Sequence, residues 1–138
     1  MIVIDVMQKK YMEQVIFLLK NMTTYTPNHE LYEDIWRDFI SQDNVHSIVA
    51  LIDKEVVGYG SIVIETKIRG GKVGHVEDII SHPCFRKKGV GKKIAYSLLE
   101  IAKRSNCYKT IIQCNVENLK FYEKYDYKIS GIAMENLL

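Results

Sequence analysis

Between Gly74 and Arg104 the apolar pattern changes from that of a strand to that of a helix, across a loop of basic residues and glycine. Residues 74–81 are apolar enough for a buried strand, interrupted by His75, Glu77 and Asp78. His82-Pro83 ends it, because proline lacks a ladder donor and keeps the residue before it out of the helical region. Val90, Ile94, Leu98 and Ile101 then recur on one helical face, with Ala95 and Ala102 beside them. A strand, a basic glycine loop and a helix N-terminus, in that order, suit an anion. The first-turn N–H groups lack partners within the helix, and the helix end carries partial positive charge.

The rest of the chain supplies a sheet for this unit. Residues 1–6 read as a strand, and Tyr11, Met12, Val15, Leu18 and Leu19 share one face of a helix through Lys20. A loop with Thr23 and Thr24, closed by Pro27, leads to Asn28 as a candidate N-cap. Leu31, Ile35, Trp36 and Phe39 then line a second helix. Apolar runs at 46–52, 56–65 and 73–81, joined by short polar turns, predict an antiparallel meander. After the helix at 90–104, a strand at 110–114 is expected to return parallel. A short helix over 118–125 and a last strand over 127–134 complete an α/β (α+β) fold with a mixed sheet.

The chain has 138 residues, 47% hydrophobic and 26% charged, which fits one globular domain over 1–138. Nineteen Lys+Arg against seventeen Asp+Glu leave a net charge of +2, too near neutral for a nucleic-acid partner. Cys84, Cys107 and Cys114 form no CxxC pattern, and an odd count cannot pair fully, so free thiols and a reducing compartment are expected. No apolar stretch approaches the roughly 20 residues of a membrane helix. These features predict a soluble cytoplasmic protein with no membrane or metal partner.

Neither GxxxxGK[ST] nor GxGxxG occurs; the glycine signal is RxxGxG, Arg86-Lys87-Lys88-Gly89-Val90-Gly91, followed by Lys92 and Lys93. Glycines at a helix start are often mere turn residues, but here they leave the backbone open beside basic side chains, and a pyrophosphate is the obvious guest. Strand alternation predicts Glu77 and Asp78 on opposite faces, either paired structurally or accepting hydrogen bonds from an amine, with His75 packed or assisting. Tyr122 lies one helical turn beyond Asn118. A phenol near its ordinary pKa of about 10 can still donate a proton to a departing thiolate at neutral pH. Cys84 sits in a positive loop but has no base at readable spacing, so a covalent enzyme intermediate is not expected.

Jointly these segments resemble the GNAT superfamily of acyl-CoA-dependent N-acyltransferases, whose [RQ]xxGx[GA] loop matches Arg86 to Gly91. More narrowly, Gly74-His75-Val76-Glu77-Asp78-Ile79, Cys107-Tyr108-Lys109 and Asn118-Leu119-Lys120-Phe121-Tyr122-Glu123-Lys124 are similar to the eukaryotic glucosamine 6-phosphate N-acetyltransferases. Ile64-Glu65-Thr66-Lys67-Ile68 and Met22-Thr23-Thr24 add to this likeness, which spans nearly the whole chain. The resemblance implies a single-domain fold with a mixed, mostly antiparallel sheet flanked by helices. It implies transfer of acetyl from acetyl-CoA, as cosubstrate, to the 2-amino group of D-glucosamine 6-phosphate, on the way to UDP-N-acetylglucosamine.

By the same resemblance, the backbone of Ile79, Ile80 and Ser81 pairs with pantetheine. Arg86, Lys87, Lys88, Gly89, Val90, Gly91 and Lys92 wrap the pyrophosphate, with Gln113, Asn118 and Tyr122 also on the coenzyme side. Thr23, Lys67, Glu77, Asp78, Ile79, Tyr108 and Lys109 take the sugar phosphate, and Tyr122, Glu77 and Asp78 carry the catalysis. Family members are intertwined homodimers, so Tyr108 and Lys109 are expected from a partner subunit. Three departures stand out. Gln113 replaces a frequent aspartate, Asp126 replaces a glycine, and residues 134–138 lack an arginine that contacts phosphate in some members. Lys67, Arg69 and Lys109 are the substitutes at hand. Two alternatives stay open: another amine acceptor (a protein N-terminus, lysine or polyamine) and a non-catalytic CoA sensor.

Overall fold

Pairing between sequence neighbours builds most of the molecule. In the computed structural model, which describes residues 1–138, β1 (Val3–Val6), β2 (Val45–Ile52), β3 (Glu55–Thr66) and β4 (Lys72–Ser81) are joined antiparallel. Asp53 and Lys54 make the tight β2–β3 turn with φ of 49° and 69°. β5 (Cys107–Ile112) follows α3 (Val90–Arg104) and lies parallel to β4, giving the strand order β1-β2-β3-β4-β5. The parallel return and the mixed sheet are as expected. β5 begins three residues earlier than expected, because Cys107 already pairs with Lys72.

The sheet has a core on each face. α1 (Met12–Leu19) and α2 (Tyr32–Ile40) cover one, where Val15, Leu18, Val49, Tyr59 and Ile80 are buried. α3 covers the other with Val90, Ile94 and Leu98 against Ile48, Val57, Ile62 and Val76. Each such fully buried aliphatic contributes about 1.5–3 kcal/mol. α3 sits directly on the β3 backbone. A Cβ at Gly60 would lie 2.5 Å from an Ile94 carbon, and one at Gly58 would lie 2.6 Å from Ile94 and Val90. That close seat brings the helix start beside the end of β4. α4 (Leu119–Glu123) follows β5 after a short 3-10 turn.

Two expectations fail here. Asn28 has the extended backbone of a cap, but its side chain makes no capping bond, and it precedes a 3-10 turn (His29–Leu31) rather than α2 itself. The last strand is absent. Beyond Asp126 the chain makes one backbone hydrogen bond, Tyr127 N–H to the Tyr122 carbonyl at 3.3 Å. Ile129, Ile132, Met134, Leu137 and Leu138 are exposed. An apolar extended segment becomes a strand only when a neighbouring edge satisfies its backbone, and within this chain none does. The outer edge of β5 is left open as well.

Candidate active site

The register creates a gap in the sheet. β4 and β5 are paired from Lys72↔Cys107 to Val76↔Ile112; there β5 ends, while β4 runs on to Ser81. On its other side β4 stays bonded to β3, through Tyr59↔Ile80 and Gly58↔Ser81. The outer backbone edge of residues 77–81, including Ile79, Ile80 and Ser81, therefore has no strand partner and suits an extended ligand.

This edge leads through a 3-10 turn (Pro83–Phe85) into the start of α3. His82 Nδ1 accepts a hydrogen bond from the Cys84 backbone N–H at 3.1 Å. Lys87 (φ 65°) and Gly89 (φ 85°) both take the left-handed region, which turns the loop back onto the helix axis. Nothing lies within 4 Å of where a Gly89 side chain would project, so the backbone is bare. Arg86, Lys87, Lys88 and Lys92 are exposed around it, and the first turn of α3 carries no acid. Lys93 instead donates to the Ile2 carbonyl at 3.1 Å. Bare N–H groups, a fifteen-residue helix dipole and four basic side chains fit a pyrophosphate.

α4 brings Tyr122 to the same end of the sheet. Phe121 rests against Gly91, with its ring carbon 3.5 Å from that residue's would-be Cβ, and Tyr122 packs edge-on to Phe121 and Tyr127. Tyr122 is 8% exposed. Burial, with smaller contributions from Cys114 and Tyr127, pushes its phenol up to about 12, not the ordinary value expected from sequence. It is a held proton at any physiological pH. Asn118, at the α4 start, and Gln113, just past β5, are exposed, and neither side chain is bonded within the chain.

The acidic pair departs from the expected alternation. Ser61↔Glu77 and Tyr59↔Ile80 are both in register, so Gly60 alone faces Asp78 and Ile79: a β-bulge, with Asp78 at φ 54°. Val76 and Ile79 pack on the α3 side and Ile80 on the α1 side. Glu77 thus points to the α1 side, and the extra residue, Asp78, joins it there, near enough to Tyr59 for its charge to add to the rise that burial gives that phenol's pKa. The carboxylates are neighbours on one face, not on opposite faces. Behind them lies a network unforeseen from sequence. Ser47 and Ser61 hydroxyls are 2.8 Å apart, and Tyr59 OH donates to Ser47 at 3.1 Å. Asp78 is open to water on one side and set against this buried network on the other; partial desolvation raises its carboxyl above the usual range. Serines inside the apolar runs 45–52 and 55–66 were the available signal.

Other acceptor-side candidates are only partly gathered. Lys67 and His75 are both bonded to one Glu65 oxygen on the hairpin, and His75 is two residues, about 7 Å, along β4 from Glu77. Lys67 and His75, in that order, hold the Glu65 carboxyl below its usual range. Tyr108 and Lys109 sit where β5 starts, opposite Lys72 and Val73, five to six residues or roughly 17–20 Å of strand from Asp78. Tyr108 OH there accepts from Arg69 at 3.0 Å, which lowers the phenol's pKa. Thr23 is exposed in the loop after α1, where its hydroxyl accepts from the Tyr25 N–H at 3.1 Å, the turn chemistry its type suggests.

The sequence profile of the Acetyltransferase (GNAT) family matches residues 12–127. The chain belongs to this family. GNAT enzymes take acetyl-CoA as cosubstrate, in keeping with a parted β4 edge beside a basic helix start. The chain is 31% identical to glucosamine 6-phosphate N-acetyltransferase 1 of Dictyostelium discoideum over 95% of its own length and 84% of that protein's. It is 32% identical to the Candida albicans glucosamine 6-phosphate N-acetyltransferase over 90% and 87%. The crystal structure of the Arabidopsis thaliana enzyme of the same name superposes with a TM-score of 0.91, at 29% identity, over 99% of this chain and 98% of that one. The GNAT fold expected from sequence is therefore the fold observed.

Proposed function

We propose that this GNAT acetyltransferase transfers the acetyl group of acetyl-CoA to the 2-amino group of D-glucosamine 6-phosphate, giving N-acetyl-D-glucosamine 6-phosphate and CoA. The observation that carries this reading is the near full-length match to enzymes of that name, in sequence and in fold. The place in metabolism is the supply of N-acetylglucosamine phosphate for UDP-N-acetylglucosamine, in the cytoplasm, by a single-domain chain.

Acetyl-CoA supplies an activated acetyl thioester, and the chain's own groups do the rest. Ile79, Ile80 and Ser81 offer the free strand edge, and Arg86, Lys87, Lys88, Gly89, Val90, Gly91 and Lys92 offer the anion cradle, with Gln113 and Asn118 flanking it. Glu77 and Asp78 hold the acceptor ammonium on the α1 side. Asp78, with its raised carboxyl pKa, is the better matched to receive the proton the amine must lose. A backbone N–H at the Asp78–Ile79 bulge polarises the acetyl carbonyl, and Tyr122 delivers its proton to the leaving sulfur. The ammonium first yields one proton to the carboxylate and becomes the nucleophilic neutral amine. As the C–N bond forms and the C–S bond breaks, the phenol protonates the sulfur, and the second proton lost by nitrogen passes through water to restore the phenol. No protein nucleophile is used: the His82 nitrogen nearest Cys84 is occupied by that residue's own backbone N–H.

The working unit is a homodimer. Each chain has an open β5 edge and an unpaired segment, residues 128–138, with exposed Ile129 and Ile132. Two copies satisfy both needs reciprocally. The same exchange supplies Tyr108 and Lys109 to a transfer site that their own chain holds roughly 17–20 Å away. Thr23 and Lys67 complete the sugar-phosphate site.

Thiol release from acetyl-CoA tests the reading, with glucosamine 6-phosphate, a peptide amine or spermidine as acceptor. The sugar phosphate should drive release by far the fastest. A preference for peptide or polyamine would change the acceptor, and uptake of acetyl-CoA without transfer to any amine would make the chain a sensor.

A further inference from the structure

Three ionisable side chains on the β3–β4 hairpin meet at one oxygen. Glu65 Oε1 lies 2.8 Å from Lys67 Nζ and 2.9 Å from His75 Nε2. The register explains the meeting. Val63 faces His75 and Glu65 faces Val73, so Glu65 and His75 are diagonal neighbours on one face of the antiparallel pair. Lys67 is fixed by the turn, its N–H donating to the Gly71 carbonyl and its own carbonyl accepting from Gly70, both at 3.0 Å. A carboxylate can only accept, so the imidazole nitrogen facing it is a donor.

This oxygen stands in basic surroundings. Arg69 stands at the same end of the sheet, where its hydrogen bond to Tyr108 and the nearby Lys67 charge lower that phenol's pKa, and it has no carboxylate within ion-pair distance. Such an excess suits a dianion, and a lone carboxylate inside it has two possible effects. It either competes with the phosphate for Lys67 or holds Lys67 ready. The geometry favours the second. Glu65 takes one of the three ammonium donors and leaves two, and the Lys67 side chain, 28% exposed, is already ordered before any ligand arrives.

We propose that Glu65 is a positioning residue for the acceptor phosphate: it fixes the Lys67 ammonium, with His75 bracing the carboxylate, and so sets the preference for a phosphorylated over an unphosphorylated amino sugar. The inference rests on the reading above that the acceptor is a hexosamine phosphate. Steady-state kinetics of wild type, E65Q, K67M and E65Q/K67M with glucosamine 6-phosphate and with glucosamine tests it. E65Q should raise KM for the sugar phosphate roughly tenfold, as expected when one long side chain must be ordered on binding rather than beforehand, with the change on KM rather than kcat. The preference for the phosphorylated sugar should fall by the same factor. In the K67M background the second substitution should no longer alter that preference. An equal or lower KM in E65Q overturns the proposal, as does a matching loss on both sugars or a further loss on top of K67M. Wild type that transfers to neither sugar overturns the functional reading along with this one; active wild type with an indifferent E65Q overturns this one alone. Should E65Q fail to bind acetyl-CoA by calorimetry, and so prove misfolded, H75N decides: the same loss of preference in weaker form supports the brace, and none refutes it.

Discussion

Replacing Tyr122 with Phe removes one hydroxyl from a buried ring and leaves its packing on Phe121 and Tyr127 in place. Its phenol is raised from 10.0 to about 12 by burial first, then by Cys114 and Tyr127. A rise of that size corresponds to a few kcal/mol, on the order of 2–3, in favour of the neutral phenol. Wild-type kcat should therefore show no loss from phenol ionisation as pH rises through 10. Y122F should lower kcat roughly hundredfold or more at every pH, the usual contribution of a positioned acid, with acetyl-CoA affinity by calorimetry nearly preserved. The same bias has a sign in stability. A folded-state pKa above the unfolded one stabilises fully below pH 10, and the contribution is lost as pH rises towards 12. Urea unfolding of wild type should then weaken over that range by up to roughly 2–3 kcal/mol more than that of Y122F. Wild-type turnover in Y122F would refute the acid assignment. A basic limb centred near pH 10 that Y122F lacks would refute the burial argument.

Asp78 should titrate above the ordinary aspartate value of about 3.9 when followed by carboxyl NMR, and D78N should damage acceptor turnover far more than acetyl-CoA uptake; a value at or below 3.9 removes the desolvation argument. G60A should destabilise the fold by about 1–3 kcal/mol in urea, because the new methyl would sit 2.5 Å from Ile94 and 3.1 Å from Leu98; an unchanged midpoint would mean that α3 is not seated as described. I129D/I132D should move the protein from dimer to monomer in analytical ultracentrifugation and depress transfer to the sugar phosphate, whereas a dimer of wild-type strength would locate the interface elsewhere.

The α3 helix was legible to its ends, since Val90, Ile94 and Leu98 repeat on one face and glycines precede them. The meander was legible for the same kind of reason, with long apolar runs and short polar joins. The bulge was not, because alternation presumes a regular strand and nothing in Val76-Glu77-Asp78-Ile79 marks an extra residue; the positive φ of Asp78 exists only once Gly60 lies opposite. Register likewise hid the Glu65–His75 contact, whose partners are ten residues apart. Residues 127–134 show the opposite error: an apolar pattern describes what a segment would bury, while its strand state depends on pairing with an edge, and this segment pairs with none in its own chain although that of β5 is open. Asp126, in contrast, takes the left-handed φ of 65° that its replacement of a glycine suggested.

The paired acids of β4 owe their common orientation to a single surplus residue. Deleting Asp78 would restore regular pleating without displacing Val76, Ile79 or Ile80 from the cores they fill, and so would leave a foldable sheet with one carboxylate where there had been two. The proton acceptor is thus separable from the scaffold: the residue that carries it could be removed while the side chains that fill both cores stay where they are.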